Sequence, residues 1–270
     1  MKFISYSQNF EDIILWRALK HIKNGTYIDV GANDPVKHSV TKAFYDRGWR
    51  GVNIEPVEYW LNKLKLCRPE DINLGIAASN ISGQFNFYEL EDTGLSTFDL
   101  SIAQKHQEAG HRYKLTQVET KTLTQICIES KVSNIHFLKI DVEGHEKQVL
   151  EGLDFQLFRP WIILIESNIP LEGYKQNYAE WNEILINNGY KFVYYDGLNR
   201  FYLTEDKIVL EDKLAIPPNI FDNFIQYDYW LSQSQIEIRL NNVLNSFSWR
   251  STYFLRFLSR PIRKLLNLKF

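Results

Sequence analysis

The sequence predicts an α/β fold in which an open, mostly parallel sheet is covered by helices and followed by a helical tail. Three observations point there. From residue 26 onward, short apolar strands alternate with helical stretches, the pattern of a parallel sheet buried on both faces. Polar residues concentrate just past the strand ends, where ligands sit in such sheets. The last two strand patterns, Lys191–Asp196 and Arg200–Thr204, face each other across Gly197-Leu198-Asn199, an antiparallel hairpin that closes the sheet.

In chain order, Phe10, Ile13, Ile14, Leu15, Ala18 and Leu19 give residues 8–21 helical spacing, and Asn24-Gly25 stops that helix with residues that tolerate a left-handed cap. Residues Thr26–Gly31 read as a strand running into a tight turn. A helix around Val40–Arg47 ends at Gly48, and a second strand spans Gly51–Glu55. A helix at Glu58–Cys67 follows Pro56, and Asp71–Ala78 reads as a third strand. Residues 79–133 are less regular: Phe85–Tyr88 alternates like a strand, and Thr93–Gln117 is polar and reads as irregular, a solvated loop or a lid. Regularity returns with Ile135–Asp141, a helix from Glu146 to Gly152, the strand Trp161–Glu166 and a helix at Tyr178–Asn188. The expected division is a lead-in over residues 1–25, a catalytic domain over 26–210 and an extension over 211–270.

Composition narrows the class. The 270 residues are 44% apolar and 24% charged, which is globular and excludes wholesale disorder. Two cysteines, Cys67 and Cys127, give neither a disulfide framework nor a cysteine-rich zinc site. The polar N-terminus and the lack of long apolar runs lead to the expectation of a soluble, cytoplasmic protein. The net charge of −2 conceals an asymmetry. Residues 239–270 hold seven Lys/Arg and no acid, interleaved with Phe247, Trp249, Tyr253, Phe254, Phe257 and Phe270, while residues 1–238 carry −9. Such a tail suits the anionic inner face of a membrane, a helix packed on the domain or an oligomer contact. No groove or motif accompanies it that would hold nucleic acid.

The strand ends hold the candidate site. The first strand runs out through Asp29-Val30-Gly31-Ala32-Asn33, where small residues let backbone approach a ligand. Glu55 ends the second strand, 26 residues after Asp29, where a carboxylate can accept both hydroxyls of a ribose. Neither a G-x-G-x-x-G cradle nor a phosphate loop is present, so the turn suits adenosine without phosphate. S-adenosylmethionine is such a ligand.

Tyr27–Asn33, Asn53-Ile54-Glu55-Pro56 and Phe137-Leu138-Lys139-Ile140-Asp141-Val142-Glu143-Gly144-His145-Glu146, with Val149–Gly152, resemble the FkbM family of S-adenosylmethionine-dependent methyltransferases. Ser7–Asp12, Gly94–Ser101, Arg159–Trp161, Asp196–Tyr202 and Ser248–Arg250 resemble members encoded with surface-polysaccharide genes. One departure is Pro35, where many members carry glycine. The resemblance implies a Rossmann-like class I methyltransferase: a seven-stranded, mostly parallel sheet with an antiparallel last strand. It implies that Asp29, Gly31, Ala32 and Asn33 line the methionine end of the cofactor and that Glu55 binds the ribose. Ala77 would lie against the adenine edge, and Ser39 would reach the cofactor carboxylate. Gln8 and Glu11, one helical turn apart in the lead-in, would also reach the site. The implied reaction is O-methylation of a sugar hydroxyl in a surface polysaccharide or its lipid-linked precursor.

A sugar hydroxyl is a poor nucleophile and needs a base or a metal. If the chain stays extended, Asp141 and Glu143 share one face, and Gly144 then brings His145 beside them. Three accounts stand. The acids, with His145, act as general base; or they hold a divalent cation, for which hard oxygen ligands suit Mg²⁺; or Glu143 pairs with Lys139 or Lys147 and only holds the turn. Asp141 also stands where it can touch the cofactor. Two other functions remain open at this level: a non-catalytic cofactor-binding protein of a glycan assembly system, and a nucleotide-dependent oxidoreductase, against which the missing phosphate fingerprint speaks.

Overall fold

In the computed structural model, residues 2–90, 93–253 and 256–257 are described. The chain runs through β1 (Phe3–Ser5), α1 (Glu11–Leu19), β2 (Thr26–Val30), α2 (Lys42–Tyr45), β3 (Arg50–Ile54), α3 (Glu58–Cys67) and β4 (Ile72–Leu74). Next come β5 (Ala77–Ala78), β6 (Gly83–Leu90), α4 (Leu100–Glu108), β7 (Tyr113–Lys121) and α5 (Leu123–Glu129). Then follow β8 (Phe137–Ile140), α6 (Glu146–Glu151), β9 (Ile162–Glu166), α7 (Ala179–Asn187), β10 (Tyr190–Tyr195) and β11 (Asn199–Thr204). The last elements are α8 (Glu211–Leu214), β12 (Phe224–Gln226), α9 (Tyr227–Asn245) and α10 (Phe247–Ser251).

Seven strands form one sheet in the order β10-β11-β9-β8-β2-β3-β4. The pairs β9–β8, β8–β2, β2–β3 and β3–β4 are parallel, and β11 runs antiparallel to both neighbours. The expected antiparallel last strand is therefore present, inserted between β9 and β10. Strand order reverses between β2 and β8, because the chain leaves β2 toward β3 and returns on its other side. Alternate residues feed two cores. Ile28, Val30, Ile140, Ile163 and Ile165 point into one, and Tyr27, Phe137, Ile162 and Leu164 into the other. Burying each such side chain contributes roughly 1.5–3 kcal/mol, which makes these central strands rigid mounts for whatever lies past their ends.

Two stretches differ from the sequence-based expectation. The third strand is not continuous over 71–78: it breaks after Leu74, and Ala77–Ala78 pairs instead with β7 in a separate sheet ordered β5-β7-β6. Residues 93–117 are only partly irregular: they hold α4 and the start of β7. Asp99 caps α4 by accepting the Ser101 and Ile102 amides, and residues 113–120 pair with 83–90 in antiparallel register. The inward face of this strand is Thr116, Val118 and Thr120, with a single apolar residue among threonines, so it reads as polar loop.

The chain divides into two compact units, Met1–Phe224 and Ile225–Phe270. The first holds the seven-stranded sheet. The second contains α9, a 19-residue helix with no buried residue, and α10, whose cap Ser246 accepts the Trp249 amide. Phe254, Phe270 and the basic residues Arg260, Arg263, Lys264 and Lys269 of the tail lie outside the described residues. Among the described residues, no helix is long and apolar enough to cross a membrane.

Candidate functional site

The turn after β2 is built by its glycine. Gly31 has φ +75°, donates its amide to the Ile54 carbonyl at 3.0 Å, and a Cβ on it would lie 1.9 Å from the Asp141 carbonyl oxygen. The close approach that requires glycine is thus to the end of β8, across the point where strand order reverses. Ala32 is buried and donates to the same Ile54 carbonyl at 3.3 Å. Asn33 takes the left-handed conformation, and its amide donates to Glu55 Oε2 at 2.8 Å. The other Glu55 oxygen accepts the Val57 amide at 2.8 Å. Burial pushes the Glu55 carboxyl up to about 7, although these two amides pull it down. Ala77 lines a small, mainly apolar cavity together with Gly31, Ile54, Pro56, Phe98 and Val142. Asn33 Oδ1 is buried beside this turn and has no hydrogen-bond partner among the described residues.

Asp29 and Ser39 look inward. Asp29 accepts the Thr41 hydroxyl at 2.7 Å and lies 3.4 Å from Lys139 Nζ. Ser39, expected at the cofactor carboxylate, instead accepts hydrogen bonds from the fully buried Arg68 and from the Lys42 amide. Arg68 also donates twice to the Pro35 carbonyl, so the proline that departs from the family pattern is anchored by an arginine beneath the turn.

Past β8 and β9 the carboxyls of Asp141, Glu143 and Glu166 offer oxygens that all lie within 4.8 Å of one another. Glu143 reaches this cluster by a different route from the extended chain expected: it has φ 52° and Gly144 has φ +95°, so the chain doubles back. Glu146 holds the doubled loop by accepting the Val142 and Gly144 amides at 3.3 and 3.1 Å. Lys139 supplies a nearby positive charge. Its Nζ lies 3.2 Å from Asp141, close to Asp29, and donates to the Gly31 carbonyl at 2.7 Å. Burial works to raise Asp141, but the Lys139 ammonium and a hydrogen bond with Glu166 hold it below the usual carboxylate range. Burial, Asp141 and the neighbouring glutamates push Glu143 and Glu166 well above that range. Sequence reasoning missed Glu166. Its only signal was a carboxylate ending a central parallel strand, the same signal that singled out Asp141.

His145 is not brought to the acids. Its Nε2 is 3.0 Å from Ser79 Oγ, its ring packs on Phe98 with centroids 4.6 Å apart, and burial pushes it down to about 4. The expected patch of two carboxylates and an imidazole is therefore divided: Glu166 replaces the imidazole, and His145 turns to the other side of its loop. Gln8 is exposed, whereas Glu11 is buried and accepts the Asn9 amide and Asn199 Nδ2, both at 2.8 Å. Asn199 pairs across the sheet with Glu166, so Glu11 approaches the acid side of the sheet end. Burial and Asp196 push Glu11 up to about 7.

The small cavity, the partnerless Asn33 carbonyl and the Glu55 carboxylate fit a nucleoside carrying no phosphate. The three-acid set is all oxygen and would suit a hard cation, although Lys139 already neutralises Asp141. The sheet order with its inserted antiparallel strand, and a turn without a phosphate cradle, define the class I methyltransferase architecture. The family model described as the methyltransferase FkbM domain matches residues 29–192, more than half of the sequence, and the chain belongs to that family. It is similar to the crystal structure of methyltransferase FkbM from Methylobacillus flagellatus KT at 14% identity and a TM-score of 0.43, covering 67% of this chain and 44% of that one. A TehB-like SAM-dependent methyltransferase from Corynebacterium glutamicum matches at 9% identity and a TM-score of 0.40, covering 72% and 88%. The chain thus spans less than half the length of the first of these structures. Comparison with curated proteins gave no match.

Proposed function

We propose that this chain methylates a hydroxyl of a sugar, in a surface polysaccharide or its lipid-linked precursor, with S-adenosylmethionine as donor. One observation carries it: the cluster of Asp141, Glu143 and Glu166 stands beside the Gly31 turn at the reversal of strand order, where cofactor and acceptor meet in this architecture. When bound, S-adenosylmethionine supplies an electrophilic methyl group on sulfur. Glu55 and Asn33 would hold the ribose and the methionine end, and the cavity beside Ala77 would take the adenine. Asp141 is the ionised acid at neutral pH, so one of its carboxylate oxygens takes the acceptor's proton while Lys139 keeps it charged beforehand. Crowding raises Glu143 and Glu166 while Asp141 is lowered, and Glu166 shares a hydrogen bond with Asp141.

Calorimetry with S-adenosylmethionine and a methyl-release assay on bacterial glycan fractions test this. Cofactor binding with turnover is expected, and Asp141→Asn should lower turnover about 10²–10⁴-fold while leaving cofactor affinity within a few-fold. Binding without turnover on any fraction would favour a non-catalytic cofactor-binding protein. Because the three acids would also hold a divalent cation, loss of turnover in a chelator, restored by Mg²⁺, would assign them to metal instead.

A further inference from the structure

Among the described cavities, the roomiest is not at the acid cluster. It is an open hollow of about 490 Å³ on the far side of the Asp141–His145 loop, roofed by the edge of the three-stranded sheet. Four side-chain amides line it: Asn80, Gln84, Asn86 and Gln117. Gln117 Nε2 donates to Asn86 Oδ1, and Asn80 donates to Glu151 at 2.9 Å and accepts from Ser79 at 3.4 Å, which fixes these planes; the Asn86 amine, the Gln117 carbonyl and the Gln84 amide face the hollow with donors and acceptors that match adjacent hydroxyls on a ring. Ser79 and Thr120 contribute hydroxyls to the same wall. Phe85 and Phe98 present apolar faces, and the His145 ring lies against Phe98. No Lys, Arg, Asp or Glu is among the lining residues.

That combination selects a ligand class. A phosphate or a carboxylate would enter without a cation to meet it, and a cation would find no acid in the wall; charged groups leave water only when compensated. A purely apolar ligand would strand the Gln84 amide and the remaining groups of Asn86 and Gln117, each at a cost of about 1–3 kcal/mol. A pyranose satisfies both surfaces at once, with hydroxyls around its rim and a C–H face for an aromatic ring. We propose that this hollow is a saccharide-binding site for a neutral glycosyl unit, distinct from the site of methyl transfer. Its biological ligand rests on the glycan-methylation reading: the hollow would seat a neutral unit of the acceptor while a hydroxyl elsewhere on that glycan is methylated. The loop from Asp141 to His145 separates the two sites and presents the acids to one and His145 to the other. Thr97 donates its hydroxyl to the Glu143 carbonyl at 2.7 Å, tying this loop to the segment that carries Phe98.

The test is binding of the full chain to a printed array of neutral and acidic glycans, followed by calorimetry on the hits with and without S-adenosylhomocysteine. Neutral glycans should bind, and Asn86→Ala and Gln84→Ala, both at exposed positions, should weaken binding at least tenfold. Phe85→Ala should do the same, with its melting temperature and S-adenosylhomocysteine affinity reporting that the fold is kept. Asp141→Asn should bind the same glycans as tightly as the parent. No glycan bound, acidic glycans bound alone, or unchanged affinity in folded amide variants would each overturn the site. None of these readouts needs turnover, so loss of the methylation reading would show separately, in the methyl-release assay.

Discussion

Two sets of carboxylates stand at the same end of the same sheet and have opposite surroundings. Glu55, past β3, is held by fixed donors: each oxygen accepts one backbone amide, from Asn33 and from Val57. Asp141, Glu143 and Glu166, past β8 and β9, are crowded together, and the cation paired with the cluster is Lys139, bound to Asp141. Glu55 has its geometry set by the main chain and can orient a ligand without changing its own. In the cluster, the charge on each acid depends on the others, so a proton gained by one is felt by all. The same chemical group is pinned by the main chain in one place and crowded by its own kind in the other.

The largest test removes the cation. Lys139→Met leaves the buried Asp29 and the partly exposed Asp141 without their shared cation and should cost about 2–4 kcal/mol of stability, read by denaturant unfolding at pH 7. Unfolding again at pH 5 should recover part of that loss as the acid cluster around Asp141 takes up protons; an equal loss at both pH values would mean that Lys139 acts through packing.

Next in size is the pH dependence of Glu55. Its folded value of about 7 exceeds the ordinary 4.5, so the stability it adds is full below pH 4.5 and is lost as pH rises through 7. Relative to Glu55→Gln, the parent should gain on the order of 2–3 kcal/mol between pH 7.5 and 4.5, as a single-proton transition. A broad transition there would place Glu55 in the cluster and dissolve the contrast.

His145 titrates in the opposite sense. Its folded value of about 4 lies below the ordinary 6.5, so stability is lost as pH falls from 6.5 toward 4. Unfolding of His145→Asn across that window should differ from the parent by roughly 1–2 kcal/mol. If the His145 midpoint, followed by NMR, moves in Asp141→Asn, then the imidazole belongs to the acid cluster after all.

The smallest effect belongs to Glu143→Gln, which removes a crowded acid without leaving a cavity. Its stability should stay within about 1 kcal/mol of the parent, and the titration of Glu166, followed by NMR, should shift down. A large loss would show that Glu143 is structural.

The parallel strands were readable because burial on both faces leaves a continuous apolar run, as in Ile162–Ile165, that few other elements produce. The break between Leu74 and Ala77 was not, because Ala77–Ala78 joins another sheet through backbone pairing with Thr120 and Lys121, far away in sequence. At the site, the positions of Asp29, Gly31, Glu55 and Asp141 follow from strand ends and were legible. Orientation was not. Ser39 faces inward because Arg68 lies beneath it, and His145 turns to Ser79 because Glu143 and Gly144 take positive φ. Both outcomes depend on side chains and backbone angles that no local pattern encodes.

The contact between Gly31 and the Asp141 carbonyl leaves no slack between two strand ends, and Lys139 bridges the same two segments. Ligand occupancy at the turn and protonation of the acids are therefore linked functions. A positive charge held beside Gly31 would act on these acids as Lys139 does, so a cationic ligand there should bind more tightly as pH rises.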